Sequence, residues 1–272
     1  MSPAPSNFLD RIVDHRRLRV AEMERRVPGH RLRSELKDIA PAGRLERALR
    51  RANSASPLKL LCEVKRASPS KGMLKEDVDP VAMARLYETG GAAAVSLVTE
   101  PDHFLGDPEW VDRTRPAVRL PILMKDFVVD SYQLLDAATR GADGVLLLAA
   151  VLSEIQMQRL IGEARLIGLD SLVEVHDADE LKRSIRAGAT LVGINNRDLR
   201  TFEVNLETSR YLLPLVPPLV TAVAESGLST PEDLARLRET RCDAVLIGEA
   251  FMTSPDPAAA LRRLHSAAAG CA

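Results

Sequence analysis

The stretch GADGVLLLAAVLSEIQMQRLIGEARLIGLDSLVEVHD, Gly141 to Asp177, contains the unit from which the fold can be read. An apolar run, GVLLL, is followed by Ser153-Glu154-Ile155-Gln156, a serine with an amide three residues on, the pairing that opens a helix. Gly168 marks the helix exit, because glycine takes the left-handed backbone there with little strain. A second apolar run, SLVEV, begins almost at once. Each run is of strand length, and a helix returning the chain between two strands leaves them parallel.

Outward from this unit the pattern repeats. From Leu60 the runs are LLCEV, AAVSLV, PILMK, GVLLL, SLVEV, LVGIN, LVTAVA and AVLIG, eight in all. Helix starts are expected at Asp79-Pro80, Ser131, Ser153, Asp177 with Glu180, and Thr230-Pro231 with Asp233. Exits fall at Gly90-Gly91, Gly141, Gly168 and Gly188. Each unit takes about 26 residues, a strand plus a return helix. An open doubly wound sheet is the alternative, but no glycine-rich dinucleotide turn follows the first run. The pattern predicts an α/β protein, a (β/α)8 TIM barrel with residues 1–272 as one domain.

The first 55 residues differ. Leu9, Val13, Val20, Met23 and Val27 follow a 4-3 spacing interrupted only by Arg16, and Pro28-Gly29 closes that stretch. A second helical stretch, Arg44 to Arg51, carries Leu45, Ala48 and Leu49 on one side. Residues 1–55 are therefore expected to form a helical extension packed on the barrel near its mouth, with the arginines as a solvated face.

Composition excludes several functions. Among 272 residues, 37 Lys+Arg face 38 Asp+Glu, a net charge of −1 that gives no basic excess for nucleic acid. Cys62, Cys242 and Cys271 are too few and scattered for a disulfide framework or a zinc site. No apolar run is long enough to span a membrane, and MSPAPSNFLDR does not read as a secretory signal, so a cytoplasmic protein is expected.

Barrel enzymes carry their chemistry at the carboxyl ends of the strands. Glu63 and Lys65, Lys125, Glu174, Asn195 and Glu225 share the barrel-facing parity there, while Val64, Met124, Val173, Val175, Ile194 and Ala224 face the helices. One isolated charge could be a rim salt bridge. Three carboxylates, two lysines and an amide converging on one mouth form the kind of ring that acid–base chemistry uses. Glu225-Ser226-Gly227 and Ile247-Gly248-Glu249 end the seventh and eighth runs, where this fold commonly cradles phosphate on backbone N–H groups. Cys62 has helix-facing parity and reads as a core residue. Of five histidines only His176 lies near a strand end, which supports neither a metal triad nor a Ser/His/Asp site. No metal or cofactor is implied.

The segment LCEVKRASPSKG, Leu61 to Gly72, closely resembles the signature of indole-3-glycerol-phosphate synthases. The resemblance continues in register through PILMKDFVVDSYQ, GADGVLLLAA, LVEVHD, GINNRDLRTFEV, VAESGLST and VLIGEAFM, and the N-terminal segment matches that family's helical extension. It implies cyclisation of 1-(2-carboxyphenylamino)-1-deoxyribulose 5-phosphate to indole-3-glycerol phosphate, with loss of CO2 and water and without a cofactor, in tryptophan biosynthesis.

Carried over by position, Lys125 would be the general acid of ring closure, with its pKa lowered by burial and by Lys65. Glu174 and Glu63 would be the acid/base carboxylates, with Lys65 in support, and Glu225 and Asn195 would orient hydroxyls and lysines. Ser68 and Arg197 would meet the anthranilate carboxylate, Phe104 and Phe127 its ring, and Ser226, Gly227, Gly248 and Glu249 the phosphate, with the Glu249 side chain turned away. Ser68 to Leu74 would be a mobile lid. The partner expected is a small phosphorylated molecule, with no nucleic acid and no membrane. The chain would be a monomer or weak homo-oligomer, association with other tryptophan-pathway enzymes being left open. The sequence departs from many relatives at Phe104-Leu105-Gly106-Asp107, where they have FGGS. Phosphoribosylanthranilate isomerase shares the fold but needs a Cys/Asp pair that the strand ends lack. A barrel that had lost catalysis would lack Lys125, Glu63 or Glu174, and all three are present.

Overall fold

The structure, a computed structural model, describes residues 8–270. The first seven residues of the expected extension and Cys271 lie outside the described residues. Three helices come first: α1 (Phe8–Arg26), α2 (Gly29–Glu35) and α3 (Arg44–Leu49). Then follow β1 (Lys59–Val64), a hairpin of β2 (Ala67–Ser68) and β3 (Gly72–Met73), α4 (Pro80–Thr89), β4 (Ala94–Val98) and α5 (Glu109–Thr114). The middle of the chain is β5 (Ile122–Lys125), α6 (Ser131–Thr139), β6 (Gly144–Leu148), α7 (Glu154–Leu166), β7 (Asp170–Val175) and α8 (Ala178–Arg186). It ends with β8 (Leu191–Asn195), α9 (Glu207–Leu212), β9 (Thr221–Glu225), α10 (Pro231–Arg238), β10 (Ala244–Ile247), α11 (Glu249–Met252) and α12 (Pro257–Ala269).

Every apolar run becomes a strand, and the eight close in the order β1-β10-β9-β8-β7-β6-β5-β4, all parallel. The caps act as their chemistry dictates. Asp79 accepts from the N–H groups of Val81 and Ala82, and Ser153 with Gln156 and Thr230 with Asp233 form reciprocal capping boxes. The start of α6 differs from expectation. Its cap is Asp130, one residue before Ser131, because Gln133 completes a box with Asp130.

Strand alternation divides the core in two. Cys62, Val64, Met124, Val173, Val175, Ile194 and Ala224 pack between barrel and helices. Leu61, Leu123, Leu146, Leu172, Leu191 and Val223 fill the barrel interior, where they join Leu45 and Leu49 of α3 and Leu9, Ile12 and Val13 of α1. Helix α3 therefore plugs the end of the barrel where the strands begin. The N–H groups of Leu45 and Glu46 donate to Asp170 Oδ2 at the start of β7, at 2.8 and 3.0 Å. Leu45 and Leu49 are fully buried. Each such side chain is worth about 1.5–3 kcal/mol relative to exposure. Helix α1 lies at the opposite end, against Phe127.

Pro28-Gly29 closes α1, which ends at Arg26, and also opens α2, whose Leu32 packs with Val20 and Tyr132. Two expectations for the extension need correction. It does not all pack near the mouth, since α3 plugs the opposite end of the barrel. Arg16 is not a solvated interruption of the apolar stripe. It is 3% exposed and ion-paired with Asp126, immediately after β5, and Asp126 also meets Thr99 and the Phe127 N–H. The stripe continues through Arg16 because a buried carboxylate waits at its end. Burial nevertheless outweighs the guanidinium and pushes the Asp126 carboxyl up to about 6.

Arg16→Ala leaves that carboxylate buried without its cation, a loss of about 3–5 kcal/mol by the usual cost of breaking a buried pair. Thermal unfolding at pH 8 should show the loss. It should shrink at pH 5, where Asp126 is protonated, and in the double variant Arg16→Met/Asp126→Asn.

Candidate active site

All fourteen residues expected at the site line one cavity at the carboxyl end of the barrel. Parity brings them there: Glu63 from β1, Lys125 from β5, Glu174 from β7, Asn195 from β8 and Glu225 from β9 each point inward at a strand end, and Lys65 follows β1 by one residue. Glu63 is the hub. Lys65 Nζ lies 2.7 Å from Oε1 and Lys125 Nζ 3.3 Å from Oε2. Across the ring Asn195 Nδ2 donates to Glu174 Oε1 at 3.0 Å, and His176 Nε2 lies 3.4 Å from the same oxygen.

Two glycines make room for this ring. A Cβ at Gly193 would sit 2.0 Å from Glu225 Oε1, and one at Gly248 2.7 Å from Glu63 Oε1. Gly248 therefore has a packing reason to be glycine beside any role toward an anion.

The electrostatics distinguish three glutamates that look alike in sequence. Burial raises the Glu63 pKa, but Lys125 and Lys65 more than offset it and hold the carboxyl at about 2. Glu225 has no such partner. Burial and the neighbouring Glu174 push it up to about 8, against Lys125, and its Oε1 makes no hydrogen bond. At neutral pH Glu225 is thus a neutral carboxyl. Lys125 corrects an expectation. Burial does lower its pKa, but Glu63, Glu225 and Glu174 outweigh burial, so it is raised rather than lowered. Three acidic side chains act on it at once, from β1, β7 and β9.

The rim is organised by residues that sequence reading passed over. Glu100, buried, accepts from the N–H groups of Asp102, His103 and Phe104, and so shapes the loop that holds Phe104 6.0 Å from Phe127, centroid to centroid. Asn196 donates to the Ser226 carbonyl and accepts from Ser209 N–H. It anchors a turn in which Ser226 and Gly227 both take left-handed backbone, φ +65° and +75°. A non-glycine residue held there costs about 1–3 kcal/mol and is characteristic of ligand-binding turns. Acidic and amide side chains collecting several N–H groups leave no periodic trace in sequence. Ser68 is buried with a free hydroxyl, and Arg197 donates to the Phe202 carbonyl at 3.1 Å. Glu249 is not turned away: its carboxylate lies 3.7 Å from Arg197 and 3.8 Å from Lys71, across the rim. The Ser68–Leu74 segment folds as the β2/β3 hairpin. Cys62, buried in the outer layer, has its thiol pKa pushed well up by burial and is no nucleophile. Among the described residues no group of three or more His, Cys, Asp or Glu is arranged to hold a metal ion.

Comparison with known proteins follows the same line. The family model described as indole-3-glycerol phosphate synthase matches residues 9–264. The indole-3-glycerol phosphate synthase of Carboxydothermus hydrogenoformans is 40% identical over 262 residues, covering 94% of this chain and 99% of that protein. Indole-3-glycerol phosphate synthase 1 of Streptomyces coelicolor is 43% identical over 261 residues, covering 96% of each. Among solved structures, 3-hexulose-6-phosphate synthase from Salmonella typhimurium superposes with a TM-score of 0.58 at 14% identity, over 79% of this chain and 100% of that one. KGPDC from Streptococcus mutans gives 0.60 at 13%, over 78% and 98%. At that identity these two speak for the fold alone.

Glu225 sets a pH dependence of stability. Its folded pKa, about 8, lies above the unfolded 4.5, so its contribution is full below about 4.5 and is lost as pH rises through about 8. The decline amounts to a few kcal/mol at about 1.4 kcal/mol per unit. Denaturant unfolding between pH 5 and 9 should show this fall, and Glu225→Gln should flatten it.

Proposed function

The chain belongs to the indole-3-glycerol phosphate synthase family, and from that premise we propose that its ring of buried carboxylates and lysines carries the family's acid–base chemistry. The activity is closure of 1-(2-carboxyphenylamino)-1-deoxyribulose 5-phosphate to indole-3-glycerol phosphate, with loss of CO2 and water. The same reading takes residues 1–272 as one barrel domain with residues 1–55 as its extension, supported by the apolar cluster that α1 and α3 share with the strands.

Closure requires a proton at the ketone oxygen as the ring carbon bearing the carboxylate attacks. Lys125 is assigned that donation. It is charged throughout the neutral range, and contact with Glu63 fixes it at the mouth. The high pKa makes it a reluctant acid in the free site, so its proton must move to an oxygen that is acquiring negative charge, a condition met only during closure. Held at about 2, Glu63 serves better as the anchor of both lysines than as a proton carrier. Dehydration then removes one proton from the carbon next to nitrogen and adds one to the departing hydroxyl. Glu174, bonded to Asn195, is assigned the carbon proton, with Lys65 beside the leaving oxygen.

Ser68 and Arg197 supply donors for the substrate carboxylate, and Phe104 with Phe127 walls for its ring. The N–H groups of the Ser226-Gly227 and Gly248-Glu249 turns are assigned the phosphate. Any anion reaching them must also displace the loose contacts of Glu249, which at 40% exposure cost little to break. The observation that carries this reading is one carboxylate, Glu63, contacting two lysines at the barrel mouth.

Indole product is followed by its fluorescence. Lys125→Met should lower kcat by about 10²–10⁴ while KM stays within a few-fold. Near-normal turnover with a lowered melting temperature would reduce Lys125 to an ion-pair partner of Glu63.

A further inference from the structure

The reaction consumes a proton. The substrate carboxylate leaves as CO2 and its bonding pair stays in the ring. The ketone oxygen gains one proton on closure and a second on departing as water, while a single proton comes off carbon. Each turnover therefore draws one proton from solvent. Yet the groups assigned to donate and accept protons line the cavity that substrate itself covers: Glu174 is 2% exposed, and Lys65 and Lys125, at 16% and 19%, open only into that cavity mouth.

One side chain leads from that ring without lining the cavity. His176, directly after β7, places Nε2 3.4 Å from Glu174 Oε1 and Nδ1 3.2 Å from Glu180 Oε2. Nε2 is buried and makes no conventional hydrogen bond, so its direction toward Glu174 is not spent elsewhere. Glu180 stands in the first turn of α8, where the helix favours a carboxylate, and also accepts the His176 N–H at 2.8 Å. The motif is local: in Glu174-Val175-His176-Asp177-Ala178-Asp179-Glu180, strand alternation puts residue 174 inward, and the Asp177 cap brings residue 180 back over residue 176. His176 and Glu180, at 17% and 13% side-chain exposure, both reach solvent that Glu174, at 2%, does not.

We propose that Glu180, His176 and Glu174 form a relay that carries the consumed proton from solvent to the active site behind the bound substrate. The relay rests on the reading of Glu174 as a proton carrier. After a turnover Lys125 and Lys65 have each given up a proton and Glu174 holds the one from carbon. Glu174 returns that proton to one lysine. The imidazole takes a proton on the Glu180 side at Nδ1 and releases the one on Nε2 to the freed Glu174 carboxylate, which passes it to the other lysine, so no bond other than N–H and O–H changes. The charged groups facing it suit the task. Burial pulls the imidazole pKa down, but Glu180, Glu174 and Glu225 outweigh it and keep it raised, while Arg200 is the cation facing Glu180. A purely structural His176 would act as a spacer holding α8 to β7 and would affect every turnover alike. A relay reloads the site between turnovers.

His176→Ala and Glu180→Gln, checked by melting temperature, are compared with wild type in single-turnover and steady-state assays at pH 8. Both should keep the wild-type single-turnover rate but lose about tenfold in steady-state kcat, less than a group acting on the reacting atoms. Added imidazole should restore turnover in His176→Ala. Unchanged steady-state kcat, or equal losses in both assays without rescue, would overturn the relay. Glu174→Gln separates the two claims: it should be slow already in the first turnover. If it is not, the reading of Glu174 fails. If it is slow while His176→Ala turns over normally, only the relay fails.

Discussion

Charge has to balance inside the mouth of the barrel. Three glutamates, each no more than 2% exposed, and two lysines project into one cavity, and an unmatched buried ion there would cost several kcal/mol. The structure meets the condition with Glu63 between Lys65 and Lys125 and with Glu225 kept neutral. Much else follows from this. Gly193 and Gly248 are glycines because the glutamates fill the space of a side chain, and Asn195 is polar because Glu174 needs a donor. One arrangement holds both lysines on Glu63 and ties Glu174 to Asn195.

The extension serves the same ring from outside. Helix α3 closes the far end of the barrel with Leu45 and Leu49, so the interior layers have something to pack on, and Asp170 fixes it by accepting two N–H groups. Helix α1 covers the near end, and its Arg16 reaches Asp126, the residue between Lys125 and Phe127. Two of the residues assigned to substrate thus flank a buried ion pair with a helix lying outside the barrel. Arg19 of α1 likewise pairs with Asp102 in the loop that carries Phe104.

The barrel was legible in the sequence because its signals are periodic and local: eight apolar runs, caps such as Ser153 with Gln156, and glycine exits. The inward residues were legible for the same reason, since parity at a strand end settles which way Glu63 or Glu174 points. What escaped was non-local. Arg16 broke an apolar stripe, and nothing within α1 announces Asp126, 110 residues away. Glu100 and Asn196 act by gathering N–H groups of neighbouring loops, which depends on folded geometry. The direction of the Lys125 shift is not legible because the sequence shows that Lys65, Glu63, Glu174 and Glu225 share the mouth but not their distances, and these decide that the acidic groups outweigh burial.

The protonation states of Glu63 and Glu225 decide whether the charges at the mouth balance in this way. Carboxyl-detected NMR of glutamate-labelled protein, with Glu63→Gln and Glu225→Gln used for assignment, reads both directly across a pH titration. Glu225 should titrate near 8, and Glu63 should stay ionised until pH falls toward about 2. Two glutamates titrating together in the ordinary carboxylate range would contradict that balance.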